Sequence, residues 1–193
     1  MIKVIDNVLD EPLFKFITDL VISNNSKFPW YLVKDINNIN KFPNGIQTIQ
    51  LSHHLFVNKK EYNKDYSLAD KSPHTKFIHK LIIPVLEKNK IYGDIVRSKF
   101  NLLFPHPKIN SNLDHNVTHI DLDGPHYSIL LYLNDSDGDT IFFKDKGNIE
   151  LKRVTPKSNR MVISNGLYHT STNPIKFSFR AVLNMVVRKN NEI

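Results

Sequence analysis

The sequence predicts a mainly β domain with flanking helices, built either as a barrel or as a two-sheet jelly roll. From Ile95 onward, eight short segments of strand-like composition follow one another, separated by Gly, Asn, Asp and Pro. Short strands at this spacing are typical of all-β barrels and sandwiches. The 193 residues contain no internal repeat or low-complexity linker. We therefore expect one domain over 1–193, with 1–94 as helical and strand support and 95–189 as the β-core.

The chain begins with a short strand that leads into the first helix. Residues 1–10 contain IKVIDNVL, and Asp10 can cap a helix whose first turn holds Glu11 and Pro12. Both residues are favoured at that place. Apolar residues then recur at near-helical spacing until the polar run 23–25, where we expect the helix to end.

A second helix is predicted from about Pro73 to Lys88, where five apolar residues fall on one side. Pro84 within this stretch predicts a kink or a division of the helix, because proline removes a hydrogen-bond donor. Residues 26–75 alternate short apolar pieces with Asn, Gly and Lys. This composition favours strands and loops without defining their bounds.

The remaining elements are the eight predicted strands of the β-core. They are IVRSKFNLLF, VTHIDL, YSILLYL, DTIFF, IELKRV, RMVIS, LYHTS and FRAVLNMVV. Strands of about 4–9 residues suit both architectures. The strand pattern alone therefore leaves the choice between barrel and jelly roll open.

The chain is basic, with 26 Lys and Arg against 19 Asp and Glu and a formal charge of +7. A charge of this size is compatible with a polyanionic partner such as nucleic acid. Only five of the basic residues are Arg and most Lys are dispersed, whereas phosphate-binding surfaces favour clustered Arg. We therefore expect a solvated basic surface rather than a nucleic-acid interface.

The chain contains no cysteine, which excludes a disulfide scaffold, a thiol nucleophile, an iron–sulfur cluster and a Cys-ligated zinc. A metal would have to be held by Asp, Glu or the nine His. No apolar run approaches the roughly 18 residues of a membrane span. Acidic residues near the N-terminus argue against a signal peptide. We expect a cytoplasmic protein without a membrane partner.

His119 and Asp121 form the first motif with chemical content. In a strand, residues two apart face the same side, so the imidazole and the carboxylate could enter one cavity. His169 follows 50 residues later in another predicted strand. Two His and one carboxylate are the ligand set of non-haem Fe(II) oxygenases, which leaves three coordination positions open.

Arg180 lies within the apolar strand FRAVLNMVV. Burying an arginine is costly without an anionic partner, and no acidic residue occurs between Lys152 and Glu192. A bound carboxylate would supply the partner through a two-pronged contact. The alternative is that Arg180 lies on an exposed face.

Together these residues resemble the 2-oxoglutarate- and Fe(II)-dependent dioxygenases, in particular the prolyl-4-hydroxylase-like branch and its compact phage and bacterial members. Six segments occur in the order of that family: H-I-D, Y-x-I-L-L-Y-L-N-D, D-G-D-T-x-F-F, P-K-x-N-R-M-V-I-S-N, G-L-Y-H-T-S and F-R-A-V-L-N-M. The resemblance is densest over 95–188. It implies a double-stranded β-helix, which is a jelly roll.

The resemblance also implies roles for single residues. His119, Asp121 and His169 match the iron ligands, which are the catalytic centre of the family. Arg180 and Tyr132 match the residues that bind the distal carboxylate of 2-oxoglutarate. Asn184, four residues after Arg180, matches a small polar residue that lines the same pocket.

The implied reaction uses Fe(II), 2-oxoglutarate and O₂, with ascorbate as a candidate reductant. It hydroxylates a C–H bond and releases succinate and CO₂. The presence of Asp121 favours hydroxylation, because related halogenases lack this carboxylate. One departure is Asp137-Gly-Asp-Thr, where the family usually has Gly-Gly-Glu-Thr; we interpret this site as structural.

Two alternatives to a protein hydroxylase remain open from the sequence. The first alternative is a nucleic-acid demethylase of the same fold. The resemblance argues against it, because such enzymes carry a second Arg six residues after the first, where this chain has Val186. The second alternative is a basic nucleic-acid- or protein-binding module with a vestigial site. A peptidyl proline is the first candidate substrate, with a free amino acid or another protein side chain close behind. We expect specificity to reside in the loops 34–72 and 106–117.

Overall fold

The computed structural model describes residues 1–34, 46, 48–61, 72–106, 115–146 and 149–190. These residues contain two helices and ten strands. In chain order they are β1 (Ile2–Ile5), α1 (Glu11–Ile22), β2 (Tyr31–Val33), β3 (Gln50–Val57), α2 (Thr75–Lys88), β4 (Gly93–Leu103), β5 (His126–Tyr132), β6 (Thr140–Phe143), β7 (Glu150–Val154), β8 (Met161–Ser164), β9 (Tyr168–Ser171) and β10 (Arg180–Lys189). Within these residues, no helix is long and apolar enough to cross a membrane.

The strands form two antiparallel sheets. The large sheet has the order β1-β8-β5-β10-β4-β3-β2, and the small sheet has the order β7-β6-β9. Some neighbours in each sheet are far apart in sequence, as in β10 beside β4 in the large sheet and β6 beside β9 in the small one. This mainly β, two-sheet architecture with two helices confirms the predicted jelly roll.

Side-chain alternation along the large sheet creates two apolar layers. One layer packs with the helices, and its members include Ile129, Leu131, Leu183, Met185, Ile17, Val21, Ile78 and Ile82. The other lies between the sheets and comprises Leu130, Tyr132, Val182, Val162, Phe142 and Val154. Fully burying one such aliphatic or aromatic side chain contributes about 1.5–3 kcal/mol. The large sheet is therefore packed on both faces. We call the face that lies against the small sheet its inner face.

Both predicted helices are present. Asp10 precedes α1 with an extended backbone, although its side chain makes no capping hydrogen bond, and Pro12 lies in the first turn. Helix α2 begins at Thr75 and runs through Pro84 as one helix, so the predicted division does not occur. Pro84 and Lys80, whose carbonyl loses its usual donor, are both exposed, and water can replace the missing bond there.

The predicted strand VTHIDL is wrong. His119 forms an isolated bridge with His169, in which each amide donates to the other's carbonyl at 3.0 and 2.8 Å. After this bridge the chain turns through Asp123 and Gly124, and Gly124 has a φ of 84°, which glycine adopts without strain. The strand pattern in the sequence is therefore interrupted by turn residues before a ladder can form.

Asn159 joins the N-terminal segment to the core across 150 residues of sequence. Its Oδ1 accepts from the Leu9 amide at 3.0 Å, and its Nδ2 donates to the Leu9 carbonyl at 2.7 Å. Its φ of 59° is left-handed, a conformation that asparagine tolerates better than most residues. This side chain satisfies two backbone groups where the chain enters α1.

We expect Asn159→Ala to lower the free energy of unfolding by about 2–4 kcal/mol, because two buried backbone groups lose their partners and alanine fits the left-handed backbone poorly. Urea unfolding measures this change. The control Asn165→Ala removes only an exposed hydrogen bond from Lys189 and should stay within about 0.5 kcal/mol of the parent. Equal losses in the two variants would contradict the structural role of Asn159.

Candidate active site

The structure brings His119, Asp121 and His169 together. Their ligand atoms all lie within 4.8 Å of one another. His169 Nε2 is 3.5 Å from Asp121 Oδ2, and His119 Nε2 is 3.9 Å from Asp121 Oδ1. The main-chain bridge between the two His residues holds their side chains as neighbours, with ring centroids 4.6 Å apart. Within the described part of the chain, this is the only group of three such residues that could hold a metal.

Both imidazoles are oriented by their other nitrogen. His119 Nδ1 lies 3.2 Å from the Val117 carbonyl, and His169 Nδ1 lies 2.8 Å from the Leu167 carbonyl. Because a carbonyl only accepts, each Nδ1 carries the proton and each Nε2 presents its lone pair to the cluster. Burial, with His169 beside it, lowers the pKa of His119 to about 3. The neutral imidazole that a metal requires is therefore the stable form of His119.

Asp121 is buried and ionised. Burial alone would raise its pKa, but the Arg97 guanidinium and the two His residues outweigh burial and hold the pKa of Asp121 well below its usual range. Arg97 Nη2 donates to Oδ1 at 2.6 Å, and Ser128 Oγ donates to Oδ2 at 2.7 Å. The cluster thus offers two imidazole nitrogens and one carboxylate.

Arg180 is buried on the inner face of the large sheet, which decides against the alternative of an exposed residue. Its Nη2 donates to Thr140 Oγ1 at 2.8 Å, and the same oxygen accepts from the Tyr132 hydroxyl at 2.7 Å. Its Nε is buried and has no hydrogen-bond partner among the described residues. Burial lowers the pKa of Arg180 and raises that of Tyr132. The interior at this point therefore holds a desolvated cation with unused donor capacity.

Gly138 lets the chain pass close to this arginine. A Cβ at Gly138 would lie 2.9 Å from Arg180 Cδ and 2.9 Å from the Thr172 carbonyl oxygen, which is closer than real contacts of this kind. The preceding Asp137 accepts hydrogen bonds from the amides of Ile175 and Lys176 at 2.9 and 2.8 Å. The Asp-Gly-Asp-Thr segment thus has a structural role as a turn, despite its departure from the family pattern.

Asn184 lies on the same strand face as Arg180, because the two are four residues apart on β10. Its Oδ1 accepts from Arg97 Nη2 at 2.8 Å. In the structure its amide oxygen thus contacts the cation beside Asp121. The expected part of Asn184 in lining the 2-oxoglutarate pocket stays a prediction.

Three functional residues were missed at the sequence level, namely Arg97, Ser128 and Thr140. Arg97 could have been singled out by the argument applied to Arg180, since both are arginines within apolar strands. Thr140 belongs to one of the six family-like segments, but its composition gives no sign that it binds Arg180 and Tyr132. The prediction of a loop over 34–72 is wrong in part, because Gln50–Val57 of this range form strand β3 of the large sheet. Most of the rest of 34–72 and most of 106–117 lie outside the described residues.

The donor set matches the requirements of Fe(II) and of a dicarboxylate. Two imidazoles and one carboxylate suit a non-haem ferrous ion with open positions. The buried Nε of Arg180 and the shared Thr140 oxygen mark a place where a carboxylate would meet at least one unused donor. Both sites face the space between the two sheets, since Tyr132 and Val182 belong to the layer that fills it.

No family model matches the sequence, and no curated protein sequence is significantly similar to it. Solved structures do share its fold. A 2OG-Fe(II) oxygenase family oxidoreductase from Burkholderia pseudomallei is 12% identical with a TM-score of 0.68, and the match covers 98% of this chain and 86% of that one. A prolyl hydroxylase from Trichoplax adhaerens, in complex with a peptide fragment of hypoxia inducible factor, is 14% identical with a TM-score of 0.60 over 97% and 83%.

A viral collagen prolyl hydroxylase from Paramecium bursaria Chlorella virus-1, solved as a 2OG complex, is 12% identical with a TM-score of 0.54. That match covers 97% of this chain and 96% of the viral one. All three similarities extend over nearly the whole chain, so they include the N-terminal half as well as the β-core. The chain has the jelly-roll fold of the 2-oxoglutarate- and Fe(II)-dependent oxygenases, including prolyl hydroxylases.

Proposed function

We propose that this protein is an Fe(II)- and 2-oxoglutarate-dependent dioxygenase that hydroxylates an unactivated C–H bond. The observation that carries the proposal is the presence of two sites that face the same space between the two sheets. A His–Asp–His cluster lies at one place, and a buried arginine without a carboxylate partner among the described residues lies at another. Few other functions require both in one interior.

His119, Asp121 and His169 would hold the ferrous ion. Iron bound there, with 2-oxoglutarate and O₂, supplies the oxidising chemistry, while succinate and CO₂ are the products that leave with the hydroxylated substrate. The protein's share is to bind and orient. The neutral His119 and ionised Asp121 are already in the protonation states that a metal needs, so binding releases few protons.

Arg180, Tyr132 and Thr140 would bind the co-substrate carboxylate remote from the metal. Thr140 Oγ1 already accepts two hydrogen bonds, so its own proton is available to a carboxylate oxygen. The surrounding Val182 and Leu130 are apolar and buried. They exclude water, and a charge-assisted contact is stronger in such surroundings than in solution.

The substrate we propose is a protein side chain, with a peptidyl proline first and another protein or amino-acid residue second. The peptide complex of the Trichoplax neighbour and the prolyl hydroxylases among the similar folds support this choice. The basic surface is dispersed, as noted above, and we assign it no part in the reaction. A cytoplasmic location, or the host cytoplasm if the protein is viral, fits the use of a reduced metal.

The test is turnover under defined conditions. We expect purified protein with Fe(II), ascorbate and 2-oxoglutarate to form succinate, and proline-containing peptides to gain the mass of one oxygen atom. Methylated oligonucleotides, tested in parallel, should remain methylated, and any binding of them should weaken steeply with added salt. Efficient demethylation would favour the nucleic-acid enzyme. No succinate with any substrate, and tight oligonucleotide binding by the metal-free protein, would favour a binding module.

A further inference from the structure

The part of the inner face that β3 and β4 form is polar. The apolar layer against the small sheet takes its described members from other strands of the large sheet, namely Leu130, Tyr132, Val162 and Val182. On β4, Lys99 and Asn101 share the inner face with Arg97, because residues two apart point to the same side. His54 and Ser52 of β3 lie directly opposite them, and Ser52 Oγ donates to Asn101 Oδ1 at 3.1 Å. A polar surface of this kind in an interior is typical of a ligand site.

The register of the strands places Lys99 beside the metal cluster. Lys99 lies opposite Asn184 on β10 and opposite His54 on β3, and Cβ atoms of opposite residues are about 4.5–5.5 Å apart. Asn184 Oδ1 accepts from Arg97 Nη2 at 2.8 Å, and the same nitrogen donates to Asp121 at 2.6 Å. Lys99 is half-buried, whereas Arg97 is buried. A ligand that enters beside the cluster would therefore meet the Lys99 side chain.

The charges around Lys99 favour an anion at this place. Burial, followed by the charges of Lys99 and Arg97, lowers the pKa of His54 to about 3. The imidazole is therefore neutral, and it can form hydrogen bonds without adding a charge. Charges act more strongly in a partly desolvated interior than in water.

We propose that Lys99 binds a carboxylate of the substrate, which therefore carries a negative charge close to the carbon that is hydroxylated. A lysine ammonium binds a carboxylate through charge-assisted hydrogen bonds, and His54 and Asn101 beside it can add neutral ones. This inference rests on the proposed function, because it concerns the substrate of the same site. Among peptide substrates it favours a target residue next to Asp or Glu, or a target residue at a free carboxyl terminus.

The co-substrate is the other possible source of a carboxylate at Lys99. Asp121 is contacted from β4 by Arg97 and from β5 by Ser128, so it lies over β10, the strand between them. A 2-oxoglutarate that extends from Arg180 towards the metal would follow β10. Lys99 lies to one side of that line, on β4. The geometry therefore favours the substrate as the source.

The experiment uses two matched pairs of peptides as probes. One pair consists of blocked pentapeptides with a central proline, flanked by glutamate in one and by glutamine in the other. The second pair consists of a tripeptide that ends in proline, with either a free carboxylate or an amide. Each peptide is titrated by calorimetry into protein loaded with Zn(II) and 2-oxoglutarate, which cannot turn over. In at least one pair, the wild type should bind the acidic member about tenfold or more tightly. The pair that shows the preference identifies the carboxylate as that of a side chain or of a chain end.

Variants of Lys99 assign the preference to this residue. Lys99→Met, which removes the charge and keeps an unbranched side chain, should bind the two members of each pair equally. Lys99→Arg should keep part of the preference, and Lys99→Glu should reverse it. The control Lys152→Met removes an exposed lysine of β7 and should keep the wild-type preference.

Three results would overturn the role of Lys99. The first is a wild type without preference, including one that binds none of the peptides. The second is a preference that survives in Lys99→Met or, if that variant does not fold, in Lys99→Glu. The third is a lower affinity of Lys99→Met for 2-oxoglutarate with unchanged peptide binding, which would assign Lys99 to the co-substrate. Failure of the wild type to bind 2-oxoglutarate would count against the proposed function, and peptide titrations of the protein with Zn(II) alone would still decide the role of Lys99.

Discussion

Replacing Arg180 with methionine is expected to weaken 2-oxoglutarate binding by at least about a hundredfold. The guanidinium is buried, its Nε has no hydrogen-bond partner among the described residues, and a dicarboxylate would complete its contacts. Without the cation, the carboxylate end of the co-substrate would be desolvated and unpaired. Breaking a buried charge pair costs about 3–5 kcal/mol, and each 1.4 kcal/mol is about a tenfold change in affinity.

The measurement is a titration of the Fe(II)-loaded, oxygen-free protein with 2-oxoglutarate, followed by the metal-to-ligand charge-transfer band. Iron affinity itself should change little, because Arg180 makes no described contact with the His–Asp–His cluster. Met at position 180 is also tolerable for folding, since an apolar side chain of similar length replaces a desolvated cation. Arg153→Met serves as the matched control on an exposed strand.

Equal affinities in wild type and Arg180→Met would remove the assigned role of Arg180. They would also remove most of the support for 2-oxoglutarate as co-substrate, because the proposal of a dicarboxylate rests on the unused donor of Arg180. A loss of iron affinity equal to the loss of 2-oxoglutarate affinity would indicate a general collapse of the pocket instead. The two affinities therefore have to be measured on the same preparation.

The strands of the β-core were predictable because their apolar runs are bounded by turn residues. DTIFF and RMVIS, for example, became β6 and β8 almost to the residue. VTHIDL looked the same in the sequence but forms only a bridge, because the chain turns through Asp123 and Gly124 soon after His119. Whether a segment pairs as a strand depends on the course of the chain around it, and the composition of the segment does not reveal that course.

The ligand set was predictable from residue type and order, whereas the residues that orient it were not. Arg97 reaches Asp121 across 24 residues and Asn184 across 87. The contact between Arg97 and Asn184 exists only because β4 and β10 are hydrogen-bonded neighbours in the sheet. The register of that pairing is fixed by the whole fold, and a sequence motif of a few residues carries no information about it.

Metal binding itself is tested best at His169, and Asp121 is the poorer choice. Asp121→Ala would leave the buried Arg97 without its ion-pair partner, and an uncompensated buried charge costs about 3–5 kcal/mol of stability. A loss of metal binding in that variant could then reflect a damaged fold. His169 makes its bridge to His119 through the main chain, so its side chain can be removed without breaking the pairing.

We expect His169→Ala to form no measurable succinate. Its metal affinity should fall by more than about 10–100-fold, which is the loss found when a residue that hydrogen-bonds to a metal ligand is removed. Only one nitrogen and one carboxylate would remain to hold the ion, and the cavity left by the imidazole would admit water. Thermal unfolding of the metal-free variant should stay close to that of the wild type.

The measurement is Co(II) or Fe(II) titration with succinate detection. The control is His74→Ala, because His74 lies beside Phe28 and His53, away from the cluster. Normal iron affinity and normal succinate production in His169→Ala would show that the metal, if there is one, is held elsewhere.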